Sequence, residues 1–188
     1  LFDVSPYVQA VYAYFLRNPI CQEMGRKIKP AFSSSDQDSA FTYFHDFGFI
    51  PRIQRVGGQD LRGFKLVVGG GLGAQALVAQ TAFEFIPTDQ IIPFMEATIR
   101  VFDRHGEREK RFKARMKFLL KKLGLAAFLE LVETERQSLE RQSVPIDHSD
   151  WEAPSIPPLR ATDRPAPNDA QQYERWRAAN VFEQTPAG

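Results

Sequence analysis

The sequence predicts an α+β domain, a mixed β-sheet with helices packed on it, and three observations carry that expectation. Residues 49–56 and 62–68 alternate with period two on either side of Gly57-Gly58, as paired strands do. Over 5–17, 89–105 and 125–138 apolar residues recur every three or four positions, as on one face of a helix. Apolar types make up 43% of the 188 residues, and 16 Phe supply large side chains for a core over most of the chain.

Taken in order, Ser5-Pro6 is a cap and first helical position for a helix over 5–17, with Val8, Val11, Tyr12, Phe15 and Leu16 at helical spacing and Asn18-Pro19 as the stop. Residues 26–32 are short and extended, and Pro30 places that strand at an edge. Ser35-Asp36 opens a second helix over about 36–46, ended by Gly48. The strands 49–56 and 62–68 form a hairpin with a slightly long loop. After the glycines of 69–73 the rest is expected to be helical: 89–105 closed by Gly106, a charged helix 108–122, a break at Gly124, and 125–138. Six prolines between Pro145 and Pro167 mark 143–188 as a linker or wrapping arm, with a short helix near 171–179.

Charge is segregated. The total is +1, so no whole-molecule field draws the chain to nucleic acid or a membrane. Residues 107–122 nevertheless carry a net +6, and 130–188 a net −5. An anionic ligand belongs with the basic centre. The single cysteine, Cys21, excludes a disulfide framework and any all-protein thiolate metal site. His45, His105 and His148 are scattered, so no metal ligand is assigned. No apolar run reaches the roughly 18–20 residues of a membrane span. A soluble, cytoplasmic protein is expected, and the Leu1 start and Thr185-Pro186-Ala187-Gly188 end are expected of a piece of a longer polypeptide.

Three patterns bear on chemistry. Lys27 and Lys29, next to Arg26, fall on one face of a strand, where two ammonium groups repel unless water screens them or an anion sits between them. Arg108, Arg111 and Arg115 are three and four apart, one stripe of a helix, and guanidinium groups take carboxylates or phosphates bidentately. The run Gly69-Gly70-Gly71-Leu72-Gly73 is a tight turn, a close approach to a large flat cofactor, or, through Gly69-x-Gly71-x-x-Ala74, a weak dinucleotide fingerprint.

Taken together, Arg26-Lys27-x-Lys29, Gly63-Phe64-x-Leu66-x-Val68 with its glycines, and His105-Gly106-x-Arg108-x-x-Arg111-x-x-Ala114-Arg115-x-Lys117-Phe118 resemble the sirohaem-dependent nitrite and sulfite reductases over about residues 5–140. The resemblance implies a nitrite/sulfite reductase haemoprotein-like domain: 1–56 as the end of a ferredoxin-like half-domain and the start of the sirohaem domain, 57–142 as the sirohaem-binding domain, and 143–188 as the arm. It implies a reductase that reduces sulfite or nitrite at a sirohaem bridged to a 4Fe-4S cluster, with electrons from ferredoxin or a flavoprotein. Lys27 and Lys29 would contact the anion and assist protonation. Arg26, Arg108, Arg111 and Arg115 would meet sirohaem carboxylates, and the glycine run, Gly70 and Gly71 in it, would pack close to the cofactor or its loop. The cluster cysteines of that family are absent, so the segment by itself is expected to be inactive. The competing expectations are an interaction domain that docks an acidic partner through the basic helix, and a nucleotide-binding domain.

Overall fold

The computed structural model describes residues 1–148 and 167–182, in two units divided between residues 153 and 154. In the first unit, helix α1 (Ser5–Phe15) starts with Val4 as the capping residue, Ser5 as the first helical residue and Pro6 behind it. It ends just before Arg17, whose positive φ of 61° breaks the ladder. Strand β1 (Pro30–Phe32) is shorter than the 26–32 expected, because Pro30 removes a donor and 27–29 run extended without a ladder. Strands β2 (Phe47–Val56) and β3 (Gln59–Val68) form the expected hairpin. Its loop is just Gly57-Gly58, both with positive φ (58° and 84°), the geometry that matches strand twist in a two-residue turn. The longer loop expected from the sequence is therefore corrected.

A fourth strand, β4 (Gln80–Pro87), pairs antiparallel with β3, where a helix was expected. Gly63 makes room for it: a Cβ there would lie 2.4 Å from the Phe85 ring. The sheet order is β1-β2-β3-β4, with β1 parallel to β2 and the rest antiparallel, so the sheet is mixed. The glycine run thus leads into an antiparallel strand and not into a helix N-terminus, and the dinucleotide reading loses its βαβ context.

The helix expected over 36–46 is reduced to a 3-10 turn, Thr42–Phe44. Asp38 and Phe41 have positive φ, and the Asp38 carboxylate accepts the Thr42 N–H, a local bond that competes with helical pairing. The charged helix expected over 108–122 also shortens. Residues 107–115 are loop with a 3-10 turn at Arg111–Lys113, and α3 spans Met116–Leu123. The Glu107 carboxylate accepts the N–H groups of Glu109 and Lys110, while the cations that follow would repel at helical spacing. Helices α2 (Ile91–His105) and α4 (Leu125–Gln137) follow the expected periodicity. No helix among the described residues is long and apolar enough to cross a membrane.

The core lies between one sheet face and the helices. Alternation sends Phe47 and Phe49 of β2, and Phe64, Leu66 and Val68 of β3, to that face. Phe32 stacks on Phe49 at 4.4 Å, Tyr7 of α1 meets Phe64 edge-on at 5.3 Å, and Phe94 of α2 does the same to Phe47 at 6.4 Å. A polar clamp ties the helices: Arg100 reaches Glu96 at 2.6 Å and Glu135 at 3.5 Å, and Arg104 reaches Glu135 at 2.7 Å. The Tyr14 hydroxyl donates to Glu96, and burial together with that carboxylate pushes its pKa up to about 12. After Gln142 the chain has no regular structure as far as residue 148, but Val144 donates to the Asp89 carbonyl at 2.9 Å and Val144 and Ile146 rest on the core. In the second unit, α5 (Ala170–Asn180) is capped by the Asp169 carboxylate, close to the helix expected at 171–179.

Phe64 is fully buried and touches four other rings. Phe64→Ala is expected to cost about 3–5 kcal/mol of unfolding free energy in urea titration, the range for a buried aromatic truncated in a packed core.

Candidate functional site

The two basic segments meet. Residues 25–27, in the bend that leads into the run before β1, and the loop 107–115, before α3, wall a cavity of about 430 Å³ lined by Gly25, Arg26, Lys27, Arg108, Arg111 and Ala114. Four cations and no carboxylate line it. Gly25 lets the Arg108 side chain lie against the main chain: a Cβ there would stand 2.6 Å from an Nη of Arg108 and push that side chain aside. Arg108 is steadied by Asp103, through its carboxylate and its carbonyl. The Nε of Arg26 is buried with no hydrogen-bond partner among the described residues. Arg26 also borders a neighbouring cavity of about 320 Å³, where Leu72, Gly73 and Phe112 add apolar and main-chain surface beside Arg115 and Lys117.

Exposure alternates along 26–29: Arg26 and Ile28 are half-buried, Lys27 and Lys29 exposed, the pattern that period two predicts. Ile28 packs against the core and anchors the alternation. Neither lysine forms an ion pair among the described residues. Lys27 lines the 430 Å³ cavity; Lys29 does not, though its main chain is held beside it.

The arginine stripe is not helical, and the loop separates its members. Arg108 and Arg111 face the cavity, whereas Arg115 turns to Asp46 at 2.7 Å. Gly70 and Gly71 are buried against protein. A Cβ on Gly70 would stand 2.2 Å from the Tyr43 carbonyl, and one on Gly71 would stand 3.2 Å from Cδ of Lys117. Gly73, with φ of 110° and open space before it, is the glycine at the cavity wall.

Two residues escaped the sequence reading. Asp46 is fully buried one residue before β2, and its Oδ2 accepts from Arg115 and from the Lys29 N–H at 2.9 Å. Burial raises its pKa above the usual carboxylate value, more than Arg115 and the Lys29 N–H lower it. Lys117, 4% exposed, donates to the carbonyls of Gly71 (3.2 Å), Leu72 (3.1 Å) and Gln75 (2.6 Å), pinning the glycine loop. Burial, and Arg115 nearby, push its pKa down. A signal existed for Asp46, a lone acid within the apolar stretch Phe44-His45-Asp46-Phe47. Lys117 stood in the motif that carries the family resemblance, but nothing there gave it a role. Cys21 borders an apolar groove of α1 with Met24 and Ile28, and burial raises its thiol pKa. Among the described residues no three His, Cys, Asp or Glu side chains gather as a metal site.

Lys117→Met leaves three carbonyls without their donor, that of the buried Gly71 among them, so a loss of about 1–3 kcal/mol is expected, with faster amide exchange at Gly71 and Leu77, which pair with each other. Asp46 gives a pH signature. Above its ordinary pKa of 3.8 the unfolded chain releases the proton while the fold still holds it, so stability falls as pH rises through that window. Denaturation of wild type and Asp46→Asn from about pH 3 to 7 should show the stability of wild type relative to the variant declining as pH increases.

Comparison with known proteins places this geometry. The chain is 34% identical over 135 residues to sulfite reductase [ferredoxin] 1 of Mycolicibacterium paratuberculosis, covering 72% of this chain and 23% of that protein. It is 37% identical over 114 residues to the sulfite reductase [NADPH] hemoprotein beta-component of Shewanella denitrificans, covering 57% of this chain and 20% of the relative. The structure of the Mycobacterium tuberculosis NirA protein superposes with a TM-score of 0.61 at 28% identity, over 76% of this chain and 25% of that one. The chain therefore spans about a quarter of the length of the proteins it matches. Residues 1–139 match the nitrite and sulphite reductase 4Fe-4S domain, and with a cation-lined cavity inside that span the chain belongs to this family.

Proposed function

We propose that this chain supplies the cationic wall of a sirohaem site in a sulfite or nitrite reductase. The observation that carries the reading is the cavity where Arg26, Lys27, Arg108 and Arg111 converge with no carboxylate among them. Of the four, only Arg108 has a carboxylate partner among the described residues, Asp103, so the like charges remain undercompensated and favour an anionic guest, because each cation lowers the cost of desolvating it.

The residues present fit sirohaem, a flat apolar ring with a carboxylate rim. The unpartnered Arg26 Nε needs an acceptor, and Leu72 and Phe112, 63% and 75% exposed, give apolar surface beside it. Arg26, Arg108 and Arg111 would hold carboxylates, bidentately where the fork geometry allows. Arg115 would act in the same wall from its place on Asp46. Gly70 and Gly71 shape the loop that presents Gly73 and Leu72. Bound sirohaem supplies an iron that accepts the substrate anion and passes it electrons. Lys27 and Lys29 would sit against the anion's oxygens, stabilise the charge that grows there and donate protons as oxygen departs as water.

The residues do not fit the cluster. A 4Fe-4S cluster takes four thiolates, and this chain has Cys21 alone. No step of the reading runs through a cluster bound here; the remainder of a reductase chain would hold it. Ferredoxin or a flavoprotein would supply the electrons; of the two relatives above, one is a ferredoxin and the other an NADPH sulfite reductase.

In a full-length reductase that contains this chain and carries both sirohaem and the cluster, assayed by oxidation of a reduced dye with sulfite and with nitrite, Lys27→Met and Lys29→Met are each expected to lower turnover about 10²–10³-fold, the usual effect of removing a preorganised donor. Cofactor content should stay unchanged. Wild-type turnover in both variants would remove the reading.

A further inference from the structure

We infer that Asp46 is a positioning residue that sets the spacing between the lysine and arginine walls of the cavity; the inference rests on the reading above. Asp46 holds the main chain of Lys29 at both polar groups. Its Oδ2 accepts the Lys29 N–H at 2.9 Å, and its own N–H donates to the Lys29 carbonyl at 3.1 Å. The next residue is Pro30, which confines Lys29 to extended backbone, so an anchor at Lys29 also orients the two residues before it. Lys27 is one of those and lines the cavity.

The same Oδ2 receives the Arg115 guanidinium at 2.7 Å, and Arg115 is the capping residue of α3 that ends the loop carrying Arg108 and Arg111. One buried carboxylate therefore joins the two cationic segments, which would otherwise repel each other. It does so without cancelling the site. Asp46 is 0% exposed, and its partners are a main-chain N–H and the arginine that lies outside the 430 Å³ cavity. The ammonium groups of Lys27 and Lys29 remain available to an anion.

A double-mutant cycle on sulfite binding tests this. Binding to sirohaem-loaded protein is followed by the shift of the Soret band in wild type, Lys29→Met, Asp46→Ala and the double variant. If Asp46 acts through the lysine segment, each single change weakens binding about tenfold or more, and the double variant binds no worse than the weaker single one, because coupled residues are non-additive. Asp46→Asn, which keeps an acceptor for the Lys29 N–H, recovers part of the affinity lost in Asp46→Ala. Losses that multiply in the double variant, or Asn and Ala variants that bind alike, overturn the inference. Wild-type binding by Lys29→Met overturns the functional reading on which it rests. A second measurement needs no variant: in the cofactor-free chain the Lys29 amide should exchange as slowly as the amides of Phe47 and Phe49, and one exchanging as fast as that of Lys27 overturns the anchor.

Discussion

Mutual repulsion among cations is the constraint around which this fold is arranged. Arg26 and Lys27 on one segment, and Arg108 and Arg111 on another, share a cavity of about 430 Å³ that no carboxylate lines. Unit charges about 4 Å apart repel by about 1 kcal/mol in water and by several times that near a protein surface, so such a wall exists because other contacts hold it. The holding contacts lie behind the cavity: Ile28 in the core, Asp103 on Arg108, and the buried Asp46 between Lys29 and Arg115.

The sheet explains why those contacts stay in place. Phe32, Phe47, Phe49 and Phe64 form one aromatic layer across β1, β2 and β3, and α1 and α2 seal it with Tyr7 and Phe94. Asp46 immediately precedes Phe47 of this layer, so the carboxylate inherits the rigidity of the layer. Lys117 does the corresponding work on the other side, since its three carbonyl acceptors join α3 to the loop leaving β3. The cationic wall is thus fastened at two points to well-packed structure and left open in front.

Much of this was legible in the sequence, and the failures have physical causes. Helices α2 and α4 and the hairpin carry strong single periods, and they formed where those periods lie. Strand β4 escaped because Gln80–Pro87 has phenylalanines on one side and Ala82 and Ile86 on the other, so no clean alternation marks it. The basic run 107–122 has helical spacing, but its first half is held as loop by the Glu107 carboxylate, and that loop turns Arg115 away from Arg108 and Arg111. The exposure of both Lys27 and Lys29 agrees with period two, but of the two only Lys27 lines the 430 Å³ cavity. The anchors Asp46 and Lys117 meet their partners across 17 to 69 residues of chain, and no local pattern encodes such a distance.

A crystal structure of the sirohaem-loaded protein tests the central claim most directly. The account predicts carboxylates of the macrocycle within hydrogen-bond reach of Arg26, Arg108 and Arg111, and Lys27 and Lys29 within reach of a soaked sulfite. A macrocycle seated in the apolar groove along α1, with those five cations in solvent, would contradict it.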